Sequence, residues 1–273
     1  ADGHFAPTPY PIVPGHEFSG TVVALGSRVA TGVEVGTRVA VDPSLFCGHC
    51  RECRLGRGNL CANWGAIGDT VDGAFAQLVA VPAVNVHELP DHVSFEQGAL
   101  VEPLSCAVHG VRRLAVEAGE SALVLGVGTM GQLLTQLLVR SGVEVTAVDR
   151  VPEKLRMAAR HGAVRTAGDV AELDGPGFDM VVDVTGVPAV MEAGMAAVRR
   201  GGRFLVFGVA PEEARIAISP FRVYNDEITV LGSIETEGLV THRFGLGEYE
   251  EALGVVRSGH GIKVHVLPGK DSA

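Results

Sequence analysis

Residues 121–150 read SALVLGVGTMGQLLTQLLVRSGVEVTAVDR, and the order of signals in this stretch decides the fold. Ser121 to Leu125 is a short continuous apolar run, Thr129 to Ser141 has helical spacing, and Val143 to Val148 is a second apolar run. Strand, glycine turn, helix and strand in that order make a βαβ unit, whose strands are parallel. The turn is Gly126-Val127-Gly128-Thr129-Met130-Gly131, a G-x-G-x-x-G. Its glycines permit a tight turn, a close approach of backbone to a pyrophosphate, and close helix-to-strand packing, while the helix N-terminus attracts the phosphates. A glycine turn can join any strand to any helix, so the motif gains weight from its surroundings. Asp149 ends the second strand, eighteen residues beyond Gly131, where a carboxylate can accept hydrogen bonds from ribose hydroxyls. Such a carboxylate repels a 2'-phosphate, which favours NAD over NADP. Arg150 could meet that phosphate, or could be an exposed arginine at the start of a loop.

Downstream, Met180 to Val184, Arg203 to Phe207 and Ile228 to Leu231 are again near-continuous apolar runs, as expected where helices cover both faces of a sheet. The reading is α/β, a doubly wound parallel sheet. Upstream, short strand-like runs at Thr21 to Leu25, Arg38 to Val41 and Ala76 to Val81 alternate with Gly- and Pro-containing turns, which suits an irregular, mostly β domain. After Ser233 the sequence turns polar. A helix at Tyr249 to Arg257 and a strand at Ile262 to Leu267 are expected to return to the first domain. The expected division is therefore 1–104 with 238–273, and 105–237.

The β portion carries Cys47, Cys50, Cys53 and Cys61, spaced C-x2-C-x2-C-x7-C among Gly48, Gly56 and Gly58. Four thiolates in one short lobe match the closed tetrahedral site of structural zinc; an iron-sulfur cluster is the metal competitor and disulfides the bland alternative. Cys106 lies apart and reads as a small core residue. Pro14-Gly15-His16-Glu17 and the distant Glu102 supply an imidazole and two carboxylates, ordinary zinc donors whose types alone decide little.

The 273 residues exceed one comfortable core, in keeping with two domains, and 47% hydrophobic with 20% charged residues gives no reason to expect disorder. A formal net charge of −10 opposes nucleic acid or an anionic membrane as a partner and leaves a small molecule. No apolar run approaches the ~18 residues of a membrane span and the first residues carry no signal pattern, so a cytoplasmic protein is expected.

The run Gly15 to Val29, Gly-His-Glu-x2-Gly-x5-Gly-x2-Val, resembles the signature of the zinc-dependent medium-chain alcohol and sorbitol dehydrogenases, and the cysteine lobe, Glu102-Pro103-Leu104-Ser105 and the glycine motif follow in that family's order. The resemblance covers essentially the whole chain. It implies a GroES-like catalytic domain beside a Rossmann domain, NAD and two zinc ions as cofactors, hydride transfer from a secondary alcohol or polyol, and a homo-oligomer. It makes His16 a catalytic zinc ligand, Glu17 a ligand or supporting carboxylate, and Glu102 the third ligand, where a glutamate resembles the polyol branch. Thr185 and Gly208 fall where cofactor contacts are expected, and Arg243 near the substrate pocket or in a surface ion pair. Two departures stand out. The family's first ligand is a cysteine in a Cys-Gly-x-Asp-x-His run, whereas this sequence opens at Ala1-Asp2-Gly3, so catalytic zinc is expected to be weakly held by the donors present. Thr241-His242-Arg243-Phe244 also arrives sooner after Leu231-Gly232-Ser233 than in the family, for which omitted residues are the favoured reading. A threonine-type dehydrogenase, and a nucleotide-binding relative that has lost catalysis, are the alternatives.

Overall fold

The computed structural model describes residues 8–29, 32–233, 242–245, 248–257 and 264–267. Thr241, Ile262 and the opening Ala1-Asp2-Gly3, which the sequence reading invoked, lie outside the described residues. The chain divides into two compact units: Ala1–Glu102 with Val240–Ala273, and Pro103–Leu239.

The first unit begins with β1 (Ser19–Thr21), β2 (Arg38–Val41), β3 (Ser44–Leu45), the one-turn helix α1 (Arg51–Arg54), β4 (Gly65–Ala66), β5 (Val86–Glu88) and α2 (Phe95–Gly98). Helix α3 (Val101–Leu114) leads into the second unit. Strands β1, β2 and β5 form an antiparallel sheet in that order, and β3 pairs with β4. Ser94 starts α2 with a capping box: its hydroxyl accepts from Gln97 N–H while the Gln97 side chain accepts from Ser94 N–H.

The second unit continues with β6 (Ser121–Leu125), α4 (Thr129–Arg140), β7 (Glu144–Val148), α5 (Pro152–Arg160), β8 (Arg165–Ala167), β9 (Phe178–Asp183), α6 (Pro188–Ala196), β10 (Val198–Val206), α7 (Pro220–Asn225) and β11 (Thr229–Gly232). Back in the first unit, β12 (His242–Gly245), α8 (Tyr249–Arg257) and β13 (Val264–Leu267) close the order, with β12 parallel to β13.

The second unit's six parallel strands run β11-β10-β9-β6-β7-β8. Chain order therefore reverses between β6 and β9, which is where a doubly wound sheet opens a crevice at its carboxyl edge. Alternate residues of β6 feed opposite faces. Ala122 and Val124 pack with Ala107 of α3 and Leu134 and Leu138 of α4, whereas Leu123 and Leu125 pack with Met191 and Met195 of α6. These four of the five β6 residues are fully buried, each large one contributing about 1.5–3 kcal/mol of transfer free energy. At the opposite edge of the sheet, the Asp179 carboxylate accepts from Ser121 N–H at 2.9 Å, Ser121 Oγ at 2.6 Å and Arg199 Nε at 2.7 Å.

Three expectations need correction. The run Ala76 to Val81 forms no ladder among the described residues, and Leu78 is 70% exposed. A short strand-like run between Gly- and Pro-containing turns suggested a strand, but a strand also needs a neighbour to exchange hydrogen bonds with, and local pattern cannot supply one. The strand expected at Thr21 to Leu25 is instead Ser19–Thr21, because only those residues pair with β2, and Val23 and Leu25 are exposed. Strand β10 is longer than the apolar run Arg203 to Phe207. It starts at Val198 and includes a register shift before Arg203, where the charged and glycine residues hid the extension.

Candidate functional site

The four cysteines of the first unit are free thiols whose sulfurs lie within 4.8 Å of one another. Short backbone reversals bring them there, each supported by an amide aimed at sulfur: Cys47 N–H donates to Cys61 Sγ at 3.3 Å, Cys50 N–H to Cys47 Sγ at 3.4 Å, and Asn63 N–H to Cys61 Sγ at 3.3 Å. Cys50 also caps α1, accepting from Cys53 N–H. The Cys47 to Cys61 sulfur separation is 3.6 Å, close to the ~3.8 Å edge of a tetrahedron with metal–sulfur bonds of about 2.3 Å. The amides of His49 and Cys50 hold the Cys47 thiol down to about 5, and Cys50 is lowered by the amide of Cys53. Cys53 is pushed up to about 12 by desolvation and by its neighbour Cys50. A divalent cation reconciles four such sulfurs, because it stabilises every thiolate at once.

His16, Glu17 and Glu102 converge in the same unit although 85 residues of sequence separate the last two: their donor atoms lie within 4.8 Å of one another. Close backbone crossing makes this possible. Gly73 N–H donates to Val13 O, Ala74 N–H to Gly15 O and Phe75 N–H to Pro14 O, all between 2.7 and 2.9 Å. A Cβ on Gly68 or Gly73 would lie 2.3 Å from Gly15 O, so only glycines allow the 68–73 segment to press the Gly15-His16 backbone into place. On the other side, Ser19 Oγ donates to Phe95 O at 2.5 Å, and a Cβ on Gly98 would meet Ser19 Cβ at 2.9 Å. That contact docks α2, and with it the start of α3 that carries Glu102. His16 Nε2, both carboxylate oxygens of Glu17 and Glu102 Oε2 are shielded from solvent. Two carboxylates and an imidazole so close together and so poorly hydrated suit a cation, which offsets the repulsion between the carboxylates and accepts the imidazole lone pair.

In the second unit the glycine motif fills the turn between β6 and α4. A Cβ on Gly131 would lie 2.0 Å from Gly126 O, so helix and turn touch directly, whereas nothing lies within 4 Å of a Cβ on Gly128, the residue that precedes the first turn of α4. The backbone is thus open at one place, where the helix N-terminus presents its amides. A pyrophosphate fits that opening. Thr129 and Met130 are 7% and 3% exposed, with Met130 in the core, so any contact Met130 makes to a nucleotide comes from its backbone. Asp149 is half-buried, and its two carboxylate oxygens accept from Val127 N–H at 3.0 Å and Val151 N–H at 2.9 Å. Arg150 is exposed. Thr185 and Gly208 follow β9 and β10 at the same carboxyl edge. Arg243 is in β12 opposite His265 of β13, and its side chain lies outside the described residues.

Sequence reasoning missed Asp183, the last residue of β9, which is fully buried among these loops. Burial raises its pKa against the hydrogen bonds it accepts from Thr185 and Gly186. The signal was an acidic residue inside the near-continuous apolar run Met180 to Val184, directly before Thr185-Gly186.

Residues 1–91 match a family model described as the alcohol dehydrogenase GroES-like domain, and residues 129–253 one described as zinc-binding dehydrogenase. The chain is 34% identical to D-arabinitol dehydrogenase 1 of Uromyces fabae, over 95% of this chain and 82% of that protein. The chain belongs to the zinc-dependent alcohol and polyol dehydrogenase family. It is also 36% identical to D-altritol 5-dehydrogenase of Agrobacterium fabrum, over 88% of this chain and 78% of the relative, and 33% identical to L-threonine 3-dehydrogenase of Mesorhizobium japonicum, over 94% and 82%. Among solved structures, a zinc-binding dehydrogenase from Sinorhizobium meliloti, determined with NADP bound, superposes with a TM-score of 0.86 at 32% identity, over 96% of this chain and 84% of that one. The two units of this dehydrogenase are accordingly a GroES-like domain and a Rossmann domain, and its reaction is hydride transfer between an alcohol and a nicotinamide cofactor. Among the described residues no helix is long and apolar enough to cross a membrane.

Proposed function

We propose that this dehydrogenase oxidises a secondary hydroxyl of a polyol, with NAD as the preferred acceptor, and works as a homo-oligomer. The observation that carries the reading is the convergence of His16, Glu17 and Glu102 in one unit, alongside an open glycine turn in the other. His16 and Glu102 would hold a catalytic zinc, with Glu17 as a further ligand or as the carboxylate behind it, and Cys47, Cys50, Cys53 and Cys61 would hold a structural one. When bound, the zinc supplies Lewis acidity that makes an alcohol hydroxyl easier to deprotonate, and the nicotinamide supplies the hydride acceptor.

The chain's own residues do the rest. The crossing of Gly68 and Gly73 over Gly15, with the docking of α2 on Ser19, would fix the imidazole and carboxylates before substrate arrives, so little reorganisation is needed at the reacting oxygen. Thr129, Met130 and Gly131 present amides at the start of α4 to the pyrophosphate, and Asp149 stands where ribose hydroxyls would donate to it. Arg150 would meet a 2'-phosphate should the preference be weaker than proposed, Thr185 and Gly208 would line the cofactor crevice, and Arg243 would contact substrate or form a surface ion pair. The relatives support a polyol: two of them are named for arabinitol and altritol.

A threonine dehydrogenase activity is the second reading, favoured by the relative of that name. The test is a reduction screen on zinc-supplemented protein, with NAD and NADP each offered pentitols, hexitols, simple secondary alcohols and threonine. Turnover highest with a polyol and NAD is the expected result. Threonine as the best substrate would overturn the substrate assignment, and nucleotide binding without any turnover would overturn the catalytic one.

A further inference from the structure

We propose that Asp183 is a positioning residue for the nicotinamide half of the bound dinucleotide, acting through the turn Val184-Thr185-Gly186. The proposal rests on the nucleotide-binding reading of the glycine turn above.

Asp183 lies at the centre of the sheet's carboxyl edge, in register with Leu125 of β6 on one side and Val206 of β10 on the other. Its side chain is fully buried and turns back on its own loop. Oδ1 accepts from Thr185 N–H at 3.2 Å and Thr185 Oγ at 2.6 Å, and Oδ2 accepts from Gly186 N–H at 3.0 Å. The Asp183 carbonyl also accepts from Phe207 and Gly208 amides at 3.0 and 2.8 Å, tying the loop after β10 to the same residue. One aspartate therefore holds both loops that follow β9 and β10.

The held turn abuts the glycine motif. A Cβ on Gly126 would lie 2.7 Å from Thr185 Cγ2, and a Cβ on Gly208 would lie 2.6 Å from Gly186 N. Gly186 adopts φ +63°, and a Cβ there would meet Val209 O at 2.0 Å, so the turn has no slack. Rotating Thr185 would change the wall against which Gly126 rests. A buried carboxylate accepting several charge-assisted bonds is a stiff anchor, because each lost partner leaves an unsolvated oxygen.

Sheet order says which part of a dinucleotide meets this wall. Asp149 follows β7, on one side of β6, and would take the adenosine ribose; the turn that Asp183 holds follows β9, on the other side. A dinucleotide whose pyrophosphate crosses the end of β6 must carry its nicotinamide half over β9 and β10. Loosening the turn should then be felt by the nicotinamide half and spared by the adenosine half.

The experiment measures dissociation constants of NADH, by fluorescence, and of ADP, by calorimetry, for the folded protein and its D183N, T185V and T185S variants. In D183N an amide NH2 faces a backbone N–H; T185V removes the hydroxyl; T185S keeps it. The expected result is NADH affinity weakened about tenfold or more in D183N and severalfold in T185V, ADP affinity within twofold in every variant, and T185S, which keeps the hydroxyl but loses the methyl facing Gly126, weakened less than T185V. If D183N does not fold, the T185V and T185S pair carries the same contrast. NADH affinity unchanged in the variants, or NADH and ADP weakened equally, overturns the positioning role. Wild-type protein that binds neither ligand overturns the nucleotide-binding reading itself, and the proposal falls with it.

Discussion

Replacing Gly128 with alanine should separate folding from nucleotide binding in the Rossmann unit. The free protein has room for the added methyl, since nothing lies within 4 Å of it and the residue's φ of −63° suits any amino acid. The stability cost is then limited to a poorer N-cap, a few tenths to about 1 kcal/mol. A pyrophosphate seated on the start of α4 would meet the methyl where it needs backbone, and losing one or two charge-assisted bonds of about 1.5–3 kcal/mol each weakens binding by roughly 10-fold to 10,000-fold. Gly131→Ala is the contrasting change. Its Cβ would lie 2.0 Å from Gly126 O, so helix and turn must part, and overpacking of this kind costs about 1–3 kcal/mol, or roughly 3–10 °C in Tm. Differential scanning calorimetry reads stability and NADH fluorescence titration reads affinity. Gly128→Ala protein that binds NADH within threefold of wild type would refute the placement of the pyrophosphate over Gly128, and a Gly131→Ala protein of unchanged Tm would refute the close contact.

Cys50→Ser should remove the structural zinc and lower soluble yield while NADH affinity of the soluble fraction stays within about threefold, because the glycine turn is in the other unit; a zinc content equal to wild type by elemental analysis would count against the four-sulfur site. Asp149→Ser should raise the ratio of kcat/KM for NADP to that for NAD by ~10-fold or more as a charge facing the 2'-phosphate is lost, and a wild type that uses both cofactors equally would show that Asp149 does not discriminate. Asp179 tests acid stability. Partial burial raises its pKa, but bonds from Arg199 and Ser121 outweigh that and hold it at about 2, against 3.8 for the free group. A depressed carboxylate stabilises the fold fully above the unfolded value and loses that contribution as pH falls from about 4 towards 2. Discounted for the half-exposed Arg199, it is worth about 1–2 kcal/mol at neutral pH, about half of it gone by pH 3. Urea unfolding of wild type and Asp179→Asn at pH 5 and pH 3 should show the gap between them narrowing; a constant gap would mean the pairing contributes nothing.

The Rossmann half was legible in the sequence because buried parallel strands write continuous apolar runs: Ser121–Leu125 was read to the residue, and Glu144–Val148 to within one. The GroES-like half was legible mainly by its cysteine spacing and its long His-Glu signature. Its strands are two to four residues long, and nothing local distinguishes the paired Ser19–Thr21 from the unpaired run at 76–81. The meeting of His16 and Glu17 with Glu102 could be expected from the family's order alone, since the glycine crossing that creates it joins residues more than fifty positions apart. Asp183 escaped because the apolar run Met180 to Val184 absorbed it as one more strand position, and only the structure shows its oxygens turned back on Thr185 and Gly186.

The GroES-like unit is made of two stretches of chain, with the whole Rossmann unit between Glu102 and Val240. During synthesis, at about 5–20 residues per second, the ribosome takes on the order of 10 s to travel from one stretch to the other. The nucleotide-binding unit is continuous and has all its strands in hand before the catalytic unit has its last ones. A compact insert spans less than an unfolded chain of the same length, which shortens the loop that the catalytic unit must close, a closure whose entropic cost grows with the logarithm of loop length. A slow or destabilised Rossmann unit would therefore delay the metal-binding half, even where the substitution responsible touches none of its residues.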